Sequence, residues 1–169
     1  MGSYNEGKKD IVNFLTRNFS NGATVLDVGC CDGKWADLLD NYFVIDGVEV
    51  FKPNVVRHKL LDKYRNLFIG DIKDYKYDWY DIIIFGDVIE HLSIGDAQEV
   101  LKYAYVRSRE IIIGIPFQYP QGIIYGNPYE VHIQADLTKN IFNKRYPEYE
   151  ILIQPKDDYA YYHKAKEFT

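Results

Sequence analysis

Cysteine is nearly absent from this chain of 169 residues: there are two, Cys30 and Cys31, and they are neighbours. Adjacent cysteines do not readily meet disulfide geometry and no other thiol is available, so no covalent framework is expected. A reducing, cytoplasmic setting is the expectation that follows. Positive charge is also scarce and scattered. Lys plus Arg number 20 against 25 Asp plus Glu, giving a net charge of −5, and no basic run exceeds two residues. Binding to nucleic acid or to an anionic membrane surface needs clustered cations, so both are disfavoured. No apolar run approaches the roughly 18 residues of a membrane span, and the polar stretch from Met1 to Asp10 does not read as a signal peptide. Met1-Gly2-Ser3 reads as a cloning remnant and is given no weight. Repeats, low-complexity tracts and Pro/Gly/Ser-rich linkers are missing too, which points to one domain over residues 1–169.

What is present is globular: 47% hydrophobic and 27% charged residues exclude a disordered chain. Short β-branched runs alternate with amphipathic segments. Ile11, Phe14, Leu15 and Phe19 mark a first helix with a stop near Asn21-Gly22. Strands are expected at 24–28, 43–48, 67–69, 81–85 and 110–115. Between them, helices are expected from Gly33, over 53–61, and through Ala97, Val100, Leu101, Ala104 and Tyr105. Asp96 is the expected cap of that last helix, with Glu99 completing a capping box. A Tyr/Gly/Pro-rich loop covers 116–134, a helix 136–145, and a hairpin 150–154 with 159–163. Continuous apolar strands alternating with helices require a parallel sheet covered on both faces. The fold class is therefore α/β, doubly wound, with a mostly parallel sheet of seven strands and a C-terminal antiparallel hairpin.

In such sheets ligands sit beyond the carboxyl ends of the strands. Those ends are Asp27 to Gly33, Glu49, Asp71 and Gly86 to His91, and each carries an acid. The first turn, Asp27-Val28-Gly29-Cys30-Cys31-Asp32-Gly33, allows close backbone approach at Gly29 and Gly33. It is neither a dinucleotide fingerprint nor a phosphate loop, and its acids suit a cationic or hydroxyl-rich ligand better than a pyrophosphate. Glu49 can accept both hydroxyls of a ribose, and Asp71 an adenine amino group. A single strand-end acid is commonly a solvated turn residue; three at successive strand ends beside a glycine turn are not explained that way.

Val25-Leu26-Asp27-Val28-Gly29-Cys30-Cys31-Asp32-Gly33 resembles the first motif of class I S-adenosylmethionine-dependent methyltransferases, which have a Rossmann-like sheet. Gly47-Val48-Glu49-Val50 resembles their ribose-binding motif and Gly70-Asp71-Ile72 their adenine-binding one. Asp81 to Leu92 is similar to the fourth-strand motif of the branch that ends it in Glu-His. The match runs in order over about residues 20 to 115. It implies S-adenosyl-L-methionine as cofactor and S-adenosyl-L-homocysteine as product. It also implies Asp27 facing the methionine amino group directly or through water, Gly29 and Gly33 under the amino-acid moiety, Glu49 on the ribose, Val50 on the adenine face, and Asp71 with Ile72 at its edge, with Gly86 and Asp87 among the cofactor-binding residues. Cys31 stands where the family usually has glycine, and its plain reading is a small buried residue rather than a reactive thiol.

Methyl transfer from a sulfonium needs alignment and a proton acceptor. His91, at the end of the fourth strand, and Glu130 with His132, in the loop after the fifth, are the candidate bases. Capping or packing is the plain alternative for His91. His58 and His163 are expected at the surface. Asp87, Glu90, His91 and His132 also permit a metal reading, similar to the cluster of small-RNA 3′-terminal 2′-O-methyltransferases, with Asp87 in place of a glutamate; the same Glu-His string occurs in metal-free relatives, and no metal ligand is assigned from sequence. The 16 tyrosines, Tyr119, Tyr125 and Tyr129 among them, fit either stacking on an acceptor or compositional bias. The expected acceptor is an oxygen or nitrogen of a small molecule or glycan precursor. The stretch from Ile115 to His132 loosely resembles methyltransferases of surface-polysaccharide pathways. An RNA-end enzyme and a non-catalytic cofactor-binding subunit are the alternatives, and oligomeric state is left open.

Overall fold

A period of two along the strands decides the two faces of the sheet. In the computed structural model, which describes residues 5–166 and so leaves Met1-Gly2-Ser3 outside, Ile82 and Ile84 of the fourth strand point to one face and Ile83 and Phe85 to the other. The strands are β1 (Thr24–Val28), β2 (Val44–Glu49), β3 (Leu67–Ile69), β4 (Tyr80–Gly86), β5 (Ser108–Pro116), β6 (Glu150–Lys156) and β7 (Tyr159–Ala165). They form one sheet in the order β3-β2-β1-β4-β5-β7-β6. The first five are parallel; β7 runs antiparallel to β5 and to β6. The expected doubly wound sheet with its hairpin is present.

On one face, Ile11 and Leu15 of α1 (Lys8–Asn18) and Trp35 and Leu39 of α2 (Lys34–Leu39) pack with Val25, Ile45, Ile82 and Ile84. Val55 of α3 (Lys52–Arg57) joins them. On the other, Ala97, Val100, Leu101 and Ala104 of α4 (Ile94–Val106) and Phe142 of α5 (Lys139–Arg145) pack on Leu26, Ile83, Phe85, Ile111 and Ile113. Burying each such apolar side chain contributes on the order of 1.5–3 kcal/mol, so the sheet's two covered faces hold the fold together.

Four helix boundaries differ from expectation, each for a local reason. Helix α1 ends at Asn18, where the extended Phe19 still donates its N–H to Leu15, and Gly22 serves the following turn with φ +86°. The expected helix over 53–61 divides into α3 and a 3-10 turn, Leu60–Asp62, because Lys59 adopts φ +52°. Asp96 is not the cap of α4. Ser93 is, its Oγ accepting from the Asp96 N–H at 3.1 Å. Helix α5 starts at Lys139, capped by Thr138.

Candidate active site

The strand order reverses between β1 and β4, and the cleft opens at their carboxyl ends. It measures about 410 Å³. Its floor is the turn after β1, its walls the ends of β2, β3 and β4, and its cover the loop around residues 119–133.

The β1 turn is built by alternating backbone conformations: Gly29 has φ +68°, Cys31 +45° and Gly33 +76°. A Cβ on Gly29 would lie 2.6 Å from Val88 Cγ2, and one on Gly33 2.6 Å from Lys63 Cδ. Gly29 therefore lets the β4 end close over the turn, while Gly33 makes room for Lys63; Gly33 does not line the cleft. Cys31 holds a left-handed conformation that costs a side-chain-bearing residue about 1 kcal/mol. Its thiol lies 3.8 Å from Asn54 Nδ2 and burial pushes its pKa up to about 12, so it is an unreactive small residue.

Glu49 ties this turn to the end of β2. Its carboxylate accepts from Cys31 N–H at 2.8 Å and Phe51 N–H at 2.7 Å, and burial raises its pKa against those two bonds. The Asn54 side chain is a further donor to it, and a carboxylate with about four acceptor positions is not saturated by these three. Val50 and Ile72 line the cleft, and Asp71 lies on its rim, accepting from Lys73 N–H at 2.9 Å with Lys73 Nζ 3.6 Å away.

Asp27 is the penultimate residue of β1. It is 1% exposed, lies beneath the turn and is not among the cleft's lining residues. One oxygen accepts from Tyr64 OH at 2.6 Å, and the other has no hydrogen-bond partner. Burial pushes its pKa up to about 7. Close by, Lys8 is buried with Nζ 4.1 Å above the Trp35 ring, and burial lowers its pKa while the charges of Asp87 and Asp27 oppose that. Trp35 and Asn54 line the cleft and escaped the sequence reading.

Beyond β4, Gly86 accommodates Trp35, whose Nε1 lies 2.6 Å from where a Cβ would stand. Asp87 follows with φ +58°, and a 3-10 turn, Ile89–His91, carries Glu90 and His91. Glu90 is 1% exposed, with no hydrogen-bond partner for either oxygen, and burial and the charge of Asp87 raise its pKa well above the usual carboxylate range. His91 Nδ1 lies 3.2 Å from the Val131 carbonyl, and His132 Nδ1 meets the Tyr119 carbonyl. A carbonyl only accepts, so each Nδ1 carries the hydrogen and each Nε2 the lone pair. The two rings meet edge to face at 4.6 Å, and burial lowers both pKa values, keeping the rings neutral. Glu130 also lines the cleft, but its oxygens accept from Asn127 Nδ2 at 3.2 Å and Gln121 Nε2 at 3.1 Å. It braces the loop. Gln134, unnoticed in the sequence, clamps the 3-10 turn: its N–H reaches Glu90 O at 2.9 Å, and its Nε2 reaches Ile89 O at 2.9 Å and Leu92 O at 3.1 Å. His58, expected at the surface, is half-buried at the C-terminal end of α3, and His163, likewise expected at the surface, lies 2.9 Å from the buried Glu110 carboxylate.

The sequence matches the profile of the methyltransferase domain over residues 3–107. This chain belongs to that family. The sheet of a class I methyltransferase is also what solved structures share with it. The magnesium protoporphyrin IX methyltransferase of Synechocystis PCC 6803, solved with bound SAM, superposes with a TM-score of 0.67 at 14% identity, covering 94% of this chain and 77% of that one. The N-terminal domain of EvdMO1 with SAH bound gives 0.70 at 13% identity, over 98% and 83%. A S-adenosylmethionine-dependent methyltransferase from Clostridium acetobutylicum gives 0.70 at 12%, over 96% and 91%. No curated protein matches the sequence. In this methyltransferase domain the matched span ends before β5, so the loop over the cleft lies outside it.

Proposed function

We propose that this domain transfers a methyl group from S-adenosylmethionine to an oxygen or nitrogen of a small molecule or glycan precursor, in a cytoplasmic setting. The observation that carries the reading is the charge of the cleft. Seven carboxylates line it (Asp32, Glu49, Asp71, Asp87, Glu90, Asp96 and Glu130) against two lysines, Lys34 and Lys73. A ligand with a sulfonium and an ammonium suits that lining; a pyrophosphate does not. When bound, S-adenosylmethionine supplies an electrophilic methyl group. Glu49 has acceptor capacity left for ribose hydroxyls, Val50 and Ile72 offer apolar contact to an adenine, and Asp71 can accept at its edge. Gly29, Cys31, Gly86 and Asp87 frame the amino-acid end. Asp27 and Gly33 act from below, setting the turn and the charge of the floor. His132, held neutral by burial with Nε2 unprotonated, is the group to accept a proton from an acceptor, and His91 packs edge to face against it.

Calorimetric titration tests the reading. Wild type binds S-adenosylmethionine and S-adenosylhomocysteine, and Glu49→Ala weakens both by about 10- to 150-fold, the loss of charge-assisted bonds worth roughly 1.5–3 kcal/mol. Absence of binding at millimolar cofactor rejects the function.

A further inference from the structure

Glu90, His91 and His132 form a group whose geometry the cofactor reading leaves unused. One potential ligand atom from each lies within 4.8 Å of the other two, and Glu90 Oε1 stands 3.9 Å from His132 Nε2. Three features distinguish the group from an accidental meeting of polar side chains. Both imidazoles have Nδ1 engaged by a backbone carbonyl, which fixes the ring and leaves Nε2 as the donor atom, the arrangement that orients histidine ligands. Glu90 is 1% exposed yet neither of its oxygens has a hydrogen-bond partner, although burying an unpaired carboxylate is costly. Finally, the group is held rigid: Gln134, two residues past His132, grips the turn that carries Glu90 and His91. Asp87, which the sequence pattern adds to such a set, is not one of the three.

We propose that Glu90, His91 and His132 bind a divalent transition-metal ion, with its open side toward the cleft. Two imidazole nitrogens and one carboxylate oxygen suit zinc, manganese, iron, cobalt or nickel, and not calcium or magnesium, which prefer oxygen throughout. Bonds of about 2.0–2.2 Å place neighbouring ligand atoms roughly 3–3.5 Å apart, so the 3.9 Å separation of Glu90 and His132 closes by less than an ångström on binding. The three side chains leave the remaining coordination positions to solvent or to an acceptor group. The inference needs no assumption about the methyl donor. It changes the part played by His132, from proton acceptor to ligand, whenever the ion is seated.

The experiment uses untagged, chelator-treated protein titrated with Co²⁺ and Zn²⁺, read by calorimetry and by the visible absorption of bound cobalt. The expected result is one ion per chain at micromolar or tighter affinity, with His132→Ala and His91→Ala each weakening binding by about 100-fold or more. Glu90→Gln, which keeps the shape of the side chain, is expected to weaken binding and to shift the cobalt spectrum. Far-ultraviolet circular dichroism and cooperative thermal melts of the same variants show that they are folded. If wild type takes up neither ion at about 1 mM, or if His132→Ala and Glu90→Gln bind it as wild type does, the site is wrong. Loss of cofactor binding in the wild type rejects the methyltransferase reading and leaves the ion result standing on its own.

Discussion

Midway along β2, Asp46 is 4% exposed and saturated by donors. Arg65 Nε reaches one oxygen at 2.9 Å and Arg65 NH2 the other at 2.6 Å; Asn66 N and Nδ2 add bonds of 3.1 Å each, and Tyr80 OH one of 2.7 Å. At the other extreme Glu90, just past β4, is equally buried and accepts no hydrogen bond. Asp27 is intermediate, with the single bond from Tyr64. The bonds to Asp46 hold its pKa below the usual value in spite of burial, whereas burial raises those of Asp27 and Glu90. A carboxylate whose donors all come from its own chain is complete as structure. One buried beside a cleft with acceptor positions unfilled is adapted to something the polypeptide does not contain, and that difference separates the scaffold from the site.

Replacing a carboxylate by its amide at each place sharpens the contrast. The largest effect is expected at Asp27. Its folded pKa, about 7, lies above the unfolded value, so the fold binds the proton more tightly. Stability is then highest in acid and declines as pH rises from about 4 to 7, with no further loss above that. Asp27→Asn removes the decline and is expected to stabilise the cofactor-free protein by up to about 4 kcal/mol at pH 8 while changing little at pH 4. Urea midpoints at the two pH values decide; equal gains at both would mean that the charge is not the cause. At Asp46 the sign reverses. Asp46→Asn turns an amide N–H₂ toward the donors of Arg65, Asn66 or Tyr80, and a loss of about 2–3 kcal/mol is expected in the same measurement. An unchanged midpoint would place Asp46 with the functional acids instead.

The smallest effect is conformational. Cys31 stands at φ +45°, and Cys31→Gly relieves that strain while giving the unfolded chain more freedom. A net gain below about 1 kcal/mol is expected, with cofactor affinity maintained; thermal melts and a binding curve test both. A large loss would show that the contact of the thiol with Asn54 matters more than the backbone.

The central parallel strands were legible because strands buried on both faces read as nearly unbroken apolar runs; β1 lies where its run does, and β4 and β5 extend one or two residues beyond theirs. Helix starts were less so. Ser93 and Asp96 are both good caps, and periodicity counted from Ala97 favoured the wrong one, since Ile94 in the true first turn is exposed and stands outside the apolar stripe. The acids at strand ends could be foreseen because topology brings strand ends together whatever loops follow. The burial of Asp27 could not, since its partner Tyr64 lies 37 positions away in a turn without a motif. Gln134 was equally hidden, its acceptors being carbonyls more than 40 residues earlier in the chain. Side chains that act through distant backbone atoms leave no local pattern.

The sheet order also has a consequence for synthesis. Strand β7 follows β6 in the sequence but is inserted between β5 and β6. While the ribosome works through residues 117–158, β5 therefore offers an unprotected backbone edge along the buried run from Ile111 to Ile115. Such an edge recruits other strands. Only when Tyr159, Tyr161 and Tyr162 arrive is it sealed, and the outer position passes to β6, whose Pro155 interrupts further pairing. A nascent chain stalled short of residue 159 is thus a sticky species, and the protection of this sheet from aggregation depends on a hairpin that contributes nothing to the lining of the cleft.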